Sequence, residues 1–397
     1  MTVPRRIGIA VLGLGWMGQA HSRSALRIPS LFPDRSFDPR LVVCADTAPE
    51  RRERSVRDFG FERAVEDWRE AVAAPDVDAV WVTAPNMLHV PMIEAACAAG
   101  KAVFSEKPIG GKPGQAVQAL HAAQAAGVAT GVGYNYLWAP LVLHARDLIA
   151  SGELGEITHY RGRFLSMYGS DELGLLTWRF MFDQAGYGVT SDVLSHSVSL
   201  AHFLVGGICE VVGMKATTIT HRPLPTASAG HYGRGRPQDA HGAVENEDFA
   251  SMLCRFSSGA TGTFECSRTL VGPESQNAFE VYGTKGALSW NLERLNELQV
   301  YRPGPGADRG YTTVFGGDRF PFHGVFVPGQ ANPIGFEDLV AIEDYSFLES
   351  LTDGTRFSPG FREAVDVVSV QQALIDSWGT RAWQPVRDLA IEDGARR

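Results

Sequence analysis

Cysteine is scarce in this chain and follows no ligand or pairing pattern. Cys44, Cys97, Cys209, Cys254 and Cys266 are the only five in 397 residues. An odd, scattered set without C-x-x-C argues against a disulfide framework and against a thiolate zinc site, so the five read as buried structural residues. The 11 histidines contain no H-E-x-x-H or comparable set, and no metal is expected. His221, His231 and His241 recur at even intervals that match no ligand spacing. No apolar run approaches the ~20 residues of a membrane helix. Met1 to Arg6 holds no apolar stretch of signal-peptide length. The expectation is a soluble, cytoplasmic protein. Basic charge is also short. The formal net charge is −9, which argues against nucleic acid as a partner, since phosphate binding needs a basic face. Internal repeats, low-complexity tracts and sustained heptads are absent as well.

What is present points to a globular protein of two domains. Apolar residues make up 44% and charged residues 20% of the chain, and 397 residues exceed one ordinary domain. Short apolar runs at Ile7–Leu12, Leu41–Ala45, Val77–Thr83, Lys101–Ser105 and Val128–Tyr134 predict strands. Helical stretches such as Pro91–Ala99 and Gly114–Ala126 lie between them, with Gly100 and Gly127 at their C-caps. Alternating strands and helices predict a doubly wound parallel sheet covered on both faces, over residues 1–135. The pattern then changes over 136–397. Ile157–Phe164 reads as a strand and Val189–Val205 as a helix. From Cys209 to Tyr301 β-segments follow one another, with hairpin signals at Ser257-Ser258-Gly259 and Gly283-Thr284-Lys285-Gly286. Helical patterns return at Phe336–Leu351 and Phe361–Trp378. The second domain is therefore expected to be α+β, a mostly antiparallel sheet flanked by helices. Residues 221–247 and 303–332 resist assignment and read as long loops.

The run Gly13-Leu14-Gly15-Trp16-Met17-Gly18 fits G-x-G-x-x-G. The pattern is weak alone and gains weight because it follows a strand and opens a helix. Gly13 allows the tight turn, Gly15 the approach of a pyrophosphate, and Gly18 the packing of helix on strand. The helix N-terminus offers free N–H groups to phosphate. Asp46 ends the second strand, where a carboxylate binds ribose hydroxyls and repels a 2′-phosphate, favouring NAD over NADP. Asp46 lies farther from Gly18 than the usual ~20 residues. The stretch Ile28–Pro39, with its three prolines, reads as an insertion between helix and strand. Arg51, Arg52 and Arg54 read as the solvent face of the next helix.

Thr83-Ala84-Pro85-Asn86 with His89, then Glu106-Lys107-Pro108 after the fourth strand, then Asp192-Val193-Leu194-Ser195-His196, complete a set. Together with the glycine motif and Asp46, it resembles the Gfo/Idh/MocA family of oxidoreductases over essentially the whole chain. The resemblance is greatest to the branch holding levoglucosan, inositol and aminoglycoside-sugar dehydrogenases. It implies NAD as cofactor, with Thr83, Pro85, Asn86, His89, Glu106, Lys107, Trp178 and Arg179 near it. It also implies that Lys107 and Asp192 position a substrate hydroxyl and that His196 accepts its proton. Asn135, Tyr136, Arg163 and Tyr168 are further candidates for substrate contact. Relatives carry arginines where this chain has Leu137-Trp138, a departure that bears on specificity.

The chemistry of these side chains agrees. Oxidising an alcohol requires a base for the O–H proton and an acceptor for the hydride, which a nicotinamide supplies. Residues 192 and 196 share a helix face. Imidazole suits a base near neutral pH, and a lysine suits a developing alkoxide. The expected activity is NAD-dependent oxidation of a secondary ring hydroxyl of a sugar, amino sugar or cyclitol, at sugar C3 in several relatives. Two alternatives stand beside it: glycoside cleavage through transient oxidation, and a non-catalytic NAD sensor. A homodimer or homotetramer, joined through open sheet faces, is also implied by the resemblance. Whether Lys107-Pro108 is cis or trans is left open by the sequence.

Overall fold

The computed structural model describes residues 4–225, 233–304 and 310–394. His231 lies outside them. The chain forms two compact units. The first holds the chain up to Gly110, Gly114–Ala139 and Gly317–Val365; the second holds Gly111–Pro113, Pro140–Gly316 and the chain from Asp366. Residues 317–365, grouped by sequence order with the second domain, thus belong to the first unit. The physical reason is the helix Phe336–Asp353, which buries Leu339, Ile342, Phe347 and Leu348 and lies along the helix Trp16–Leu31.

In the first unit six strands, β1 (Arg5–Leu12), β2 (Phe37–Ala45), β3 (Arg63–Val65), β4 (Ala79–Val82), β5 (Ala102–Ser105) and β6 (Thr130–Val132), form one sheet. Every pairing is parallel and the order is β3-β2-β1-β4-β5-β6. Every residue of β4 is buried, as expected of a strand covered on both faces. Trp81, Phe104, Phe347 and Phe357 meet as one aromatic cluster, with ring centroids 5.4–6.4 Å apart. The strand order reverses between β1 and β4, and such a switch point is where open α/β sheets bind ligands.

The expected insertion at Ile28–Pro39 is not a loop. The helix runs on to Leu31 with Pro29 in its last turn, and β2 begins at Phe37 with Pro39 inside it. Strand β3 pairs only with Val43–Ala45, so Pro39 occupies an edge stretch where a missing N–H is tolerated.

In the second unit the first strand is β7 (Ile157–Ser166), followed by β8 (Ile208–Ala216). Next come β9 (His221–Pro223) and β10 (His241–Ala243), which form a two-stranded ribbon inside one stretch read as loop. Then follow β11 (Phe249–Phe256), β12 (Thr261–Ser267), β13 (Ser275–Gly283), β14 (Ala287–Asn291), β15 (Glu297–Tyr301), β16 (Thr312–Phe315) and β17 (Gln384–Pro385). Apart from the ribbon they make a nine-stranded sheet, β16-β15-β14-β13-β7-β12-β11-β8-β17. All its neighbours are antiparallel except β7 and β12. The helix Leu194–Leu204 covers one face. The other face presents Arg161, Arg163, Met214 and Leu253, the last two exposed.

Four cysteines are buried as expected, whereas Cys209 is exposed. No helix among the described residues is long and apolar enough to cross a membrane.

Candidate functional site

The glycine turn of the first unit is shaped by steric limits. Gly13 has φ +98°, a left-handed conformation, and a Cβ there would lie 2.7 Å from the Ala84 backbone. At Gly18 a Cβ would lie 2.0 Å from the Gly13 carbonyl oxygen. At Gly15 it would meet nothing within 4 Å. The turn is thus tight where helix meets strand and open where a pyrophosphate would come. Gly15 caps the helix Trp16–Leu31 without a side-chain hydrogen bond, which leaves first-turn N–H groups for an anion. The Thr83 hydroxyl donates to the Gly13 carbonyl at 2.6 Å and braces the turn from β4. Leu14 is buried, Met17 half-buried, and Trp16 62% exposed. The Trp16 ring stacks on Phe336 at 5.0 Å, and Phe336 meets Tyr136 at 6.2 Å.

Asp46 closes β2 with its carboxylate held by two main-chain donors. Leu14 N–H donates to Oδ2 at 2.8 Å and Ala48 N–H to Oδ1 at 2.9 Å. A carboxylate has about four acceptor sites, so capacity for ribose hydroxyls remains. Of the three nearby arginines, Arg51 stands 3.5 Å from Asp46, Arg52 donates to the Asp46 carbonyl at 2.6 Å, and Arg54 pairs with Asp58. These residues fit a dinucleotide with a free 2′-hydroxyl.

Glu106-Lys107-Pro108 leaves β5 through a cis Lys107-Pro108 bond. His89 is buried, and its ring nitrogens lie 2.9 Å from the Pro108 carbonyl and 2.7 Å from the Ala84 carbonyl. Burial lowers its pKa, against the raising effect of the two carbonyls, and the ring lies between the two loops. Asn86 is buried in the turn that follows Pro85. Asn135 follows β6; it is 5% exposed and its amide nitrogen has no partner among the described residues. Leu137 is buried, and Trp138 stacks on Phe357 at 5.7 Å. Trp138, the departure from the family arginines, is thus taken up by the core.

In the second unit the helical stretch breaks at Val193 into Val189–Asp192 and Leu194–Leu204. The first piece is anchored from two sides. Glu247 accepts from the Thr190 N–H at 3.1 Å and hydroxyl at 2.6 Å, and Gln371 donates to the Ser191 hydroxyl at 2.6 Å. Asp192 is thereby held at the junction. It accepts the Tyr168 hydroxyl at 2.8 Å and faces the Arg179 guanidinium at 3.6 Å. His196 is buried, with its ring 5.9 Å from Phe164. The Arg179 guanidinium lies over the Trp178 ring at 4.7 Å. Tyr168, Arg179 and Asp192 therefore form one polar cluster.

Arg163 does not join them. It alternates with Phe164 along β7, so it projects from the opposite face of the sheet. There it binds Gln276 at 3.1 Å and Glu280 at 2.9 Å. Arg163, expected as a substrate contact, thus lies on the sheet face opposite Phe164.

Sequence reasoning missed the groups beneath Arg179. Asn246 and Arg268 donate to its carbonyl at 3.0 and 3.3 Å. Arg268 is fully buried against Asp248 at 2.7 Å. Phe180 lies against the guanidinium groups of both Arg222 and Arg268, at 4.2 and 4.4 Å. Isolated charges in β-segments carry no signal for such an assembly. Among the described residues no group of three or more His, Cys, Asp or Glu side chains is arranged to hold a metal ion.

Comparison with known proteins agrees with this geometry. The family described as "Oxidoreductase family, NAD-binding Rossmann fold" matches residues 7–134, and "GFO/IDH/MocA C-terminal domain" matches residues 142–289. Levoglucosan dehydrogenase of Pseudarthrobacter phenanthrenivorans is 32% identical over 389 residues, covering 97% of this chain and 100% of that one. Inositol 2-dehydrogenase of Rhizobium meliloti is 24% identical over 377 residues, 94% of this chain and 96% of that one. A solved levoglucosan dehydrogenase in complex with NADH and levoglucosan has a TM-score of 0.90 at 31% identity, covering 96% of this chain and 100% of that one. A full-length relative at this identity and a family match in both units complete what the glycine turn and Asp46 begin: the chain belongs to the Gfo/Idh/MocA family and is an NAD-dependent oxidoreductase.

Proposed function

We propose that the chain oxidises a secondary ring hydroxyl of a sugar, amino sugar or cyclitol to a ketone, with sugar C3 the favoured position. The observation that carries this reading is the cluster of Tyr168, Arg179 and Asp192, four residues ahead of the buried His196, in a chain with an intact dinucleotide turn. Sugars and cyclitols present adjacent hydroxyls, and a carboxylate fixed by a phenol and a guanidinium is suited to grip one of them. Asp192 orients the substrate. The Lys107 ammonium hydrogen-bonds the reacting oxygen and stabilises negative charge as it develops there. His196 takes the hydroxyl proton, and the carbonyl forms as the carbon gives up its hydride. NAD, when bound, supplies the acceptor for that hydride. Asn135 is a candidate to spend its unpaired amide on cofactor or substrate, and Tyr136 lines the same turn.

Two further calls belong to this reading. The chain works in the cytoplasm, where its five thiols stay reduced. It forms a dimer or tetramer through the open face of the nine-stranded sheet, where Met214 is 57% and Leu253 51% exposed. Light scattering that shows a monomer would remove the second call.

The activity is tested with NAD and a panel of levoglucosan, myo-inositol, scyllo-inositol and amino sugars, followed by NADH absorbance. At least one member should reduce NAD, and Lys107→Ala and His196→Ala should each lower kcat at least ~100-fold. A panel without turnover, or turnover indifferent to Lys107, rejects the reading.

A further inference from the structure

The first unit contains a set of buried charges for which the proposed reaction has no use. His21 stands one turn into the helix Trp16–Leu31, with its side chain 1% exposed. Its Nδ1 lies 2.9 and 3.0 Å from the two carboxylate oxygens of Asp344, and its Nε2 lies 3.2 Å from Oε1 of Glu106. The Trp81 indole N–H on β4 donates to Asp344 Oδ1 at 2.9 Å. The other Glu106 oxygen, Oε2, accepts the main-chain N–H of Lys107 at 3.1 Å. Gly133 leaves room for this carboxylate, since a Cβ there would lie 2.8 Å from Glu106 Oε1. Beside Asp344, Glu343 is fully buried next to the Trp138 indole.

The protonation pattern follows from donor and acceptor counting. An ionised carboxylate only accepts hydrogen bonds. A ring between two carboxylates therefore satisfies both only as imidazolium. Burial opposes that charge. The field and hydrogen bond of Asp344, joined by those of Glu106, overcome it and push the His21 pKa up to about 10. Burial also pushes the Glu343 carboxyl well above its ordinary pKa, with Glu106 and Asp344 adding to the effect. The His21 ring, its pKa raised, thus lies between the carboxyl groups of Asp344 and Glu106, with Glu343 beside them.

Such a set is a poor way to gain stability. Each buried ion costs several kcal/mol of desolvation before pairing, and apolar side chains of like volume serve as well or better. Its outlet is more telling. The chain of contacts runs from Trp81 through Asp344, His21 and Glu106 to the peptide N–H of Lys107.

We propose that His21 and Asp344 are positioning residues for Lys107: the imidazolium fixes the Glu106 carboxylate, which fixes the Lys107 peptide plane and the direction of its side chain. The idea rests on the proposed role of Lys107. His21 touches no reacting atom; it acts through Glu106.

The test uses the full-length protein and the variants His21→Gln, Asp344→Asn, the double variant and Lys107→Ala. Turnover is measured with levoglucosan or myo-inositol, NADH affinity by fluorescence titration, and the ring state by spectra of 15N-histidine-labelled protein. A misplacement near 1 Å costs about 100-fold in rate, so His21→Gln is expected to lower kcat about 10- to 100-fold with NADH affinity within about 2-fold. The double variant, which removes the cation together with one anion, recovers part of that loss. At pH 8.5 one histidine remains imidazolium in the parent spectrum and is lost in His21→Gln. An unchanged kcat in His21→Gln, a fall in NADH affinity as large as the fall in kcat, or a neutral His21 ring each overturns the proposal. If Lys107→Ala keeps full turnover, the reading of the reaction fails. If Lys107→Ala is inactive and His21→Gln is not impaired, the relay alone fails.

Discussion

Adding one methyl group to the glycine turn has opposite consequences at Gly15 and Gly18. In Gly18→Ala the new Cβ would lie 2.0 Å from the Gly13 carbonyl oxygen and 3.0 Å from the Thr83 hydroxyl oxygen. Even close C···O contacts are ~3.3 Å, so helix and turn must separate by more than ~1 Å. Overpacking of this kind costs about 1–3 kcal/mol. A loss of ~2 kcal/mol lowers the melting temperature of a unit of this size by about 4–8 °C. In Gly15→Ala the methyl meets nothing within 4 Å, and the backbone there, at φ −69° and ψ −163°, is extended. Reduced freedom of the unfolded chain favours the alanine by about 0.4–1 kcal/mol, and its poorer capping of the helix offsets that gain. Stability should therefore stay within ~1 kcal/mol of the parent. The space it fills is the one a pyrophosphate needs, so the NADH dissociation constant should rise at least ~10-fold, or ~1.4 kcal/mol. Thermal melts and NADH fluorescence titrations on the two variants separate the effects. Parent-like NADH binding by Gly15→Ala would refute the assignment of the cradle. A parent-like melt of Gly18→Ala would refute the steric argument.

Asp46→Asn removes the negative charge at the end of β2, and the NADP-to-NAD ratio of kcat/KM should rise about 10-fold or more, as expected when a hydrogen bond to a charged group is lost; an unchanged ratio counts against Asp46 as the discriminator. Tyr168→Phe deletes the donor 2.8 Å from Asp192, and kcat/KM should fall about 10-fold with the melt nearly unchanged; equal activity would place Asp192 under the control of Arg179 alone. Stability should decline on both sides of neutrality. His21, raised to about 10, keeps a proton that the unfolded chain releases above ~6.5, so its contribution is complete below ~6.5 and is lost as pH rises through 10. His202, lowered by burial to about 4, refuses a proton that the unfolded chain takes up below ~6.5, so its contribution is lost as pH falls toward 4. Melting curves against pH should show His21→Gln flattening the alkaline limb and sparing the acid limb; an unaltered alkaline limb contradicts the charge assigned to His21.

Most of the parallel sheet was legible because buried parallel strands are short apolar runs, as at Val77–Thr83 and Lys101–Ser105. Strand β3 escaped notice because Arg63–Val65 is only three residues long and half-buried. Proline misled at Pro29, which lies so near the end of its helix that few residues follow it, and at Pro39, whose missing N–H falls on an edge stretch. Asp192 and His196 were singled out by the family resemblance, their spacing only agreeing with it, and Tyr168 is a hydrogen-bond partner of Asp192. The face on which Arg163 lies was not legible, since choosing between the two faces of β7 requires the register. His21, Glu343 and Asp344 gave no signal at all. A histidine past a glycine motif and two acids in a helix read as surface residues until distant segments are brought together.

The first unit is closed by a segment that leaves the ribosome late. The glycine turn, Asp46 and Glu106 all lie within the opening stretch of the chain, yet their unit is complete only with Gly317–Val365. Domains commonly fold in order during synthesis. Here the nascent cofactor domain must wait, with Trp81, Phe104 and the charged cluster lacking Phe347 and Asp344, while the whole intervening sheet is translated. A truncated product ending near Ala139 should therefore be prone to aggregate, and a working cofactor module would require the late helix Phe336–Asp353 to be grafted back onto it.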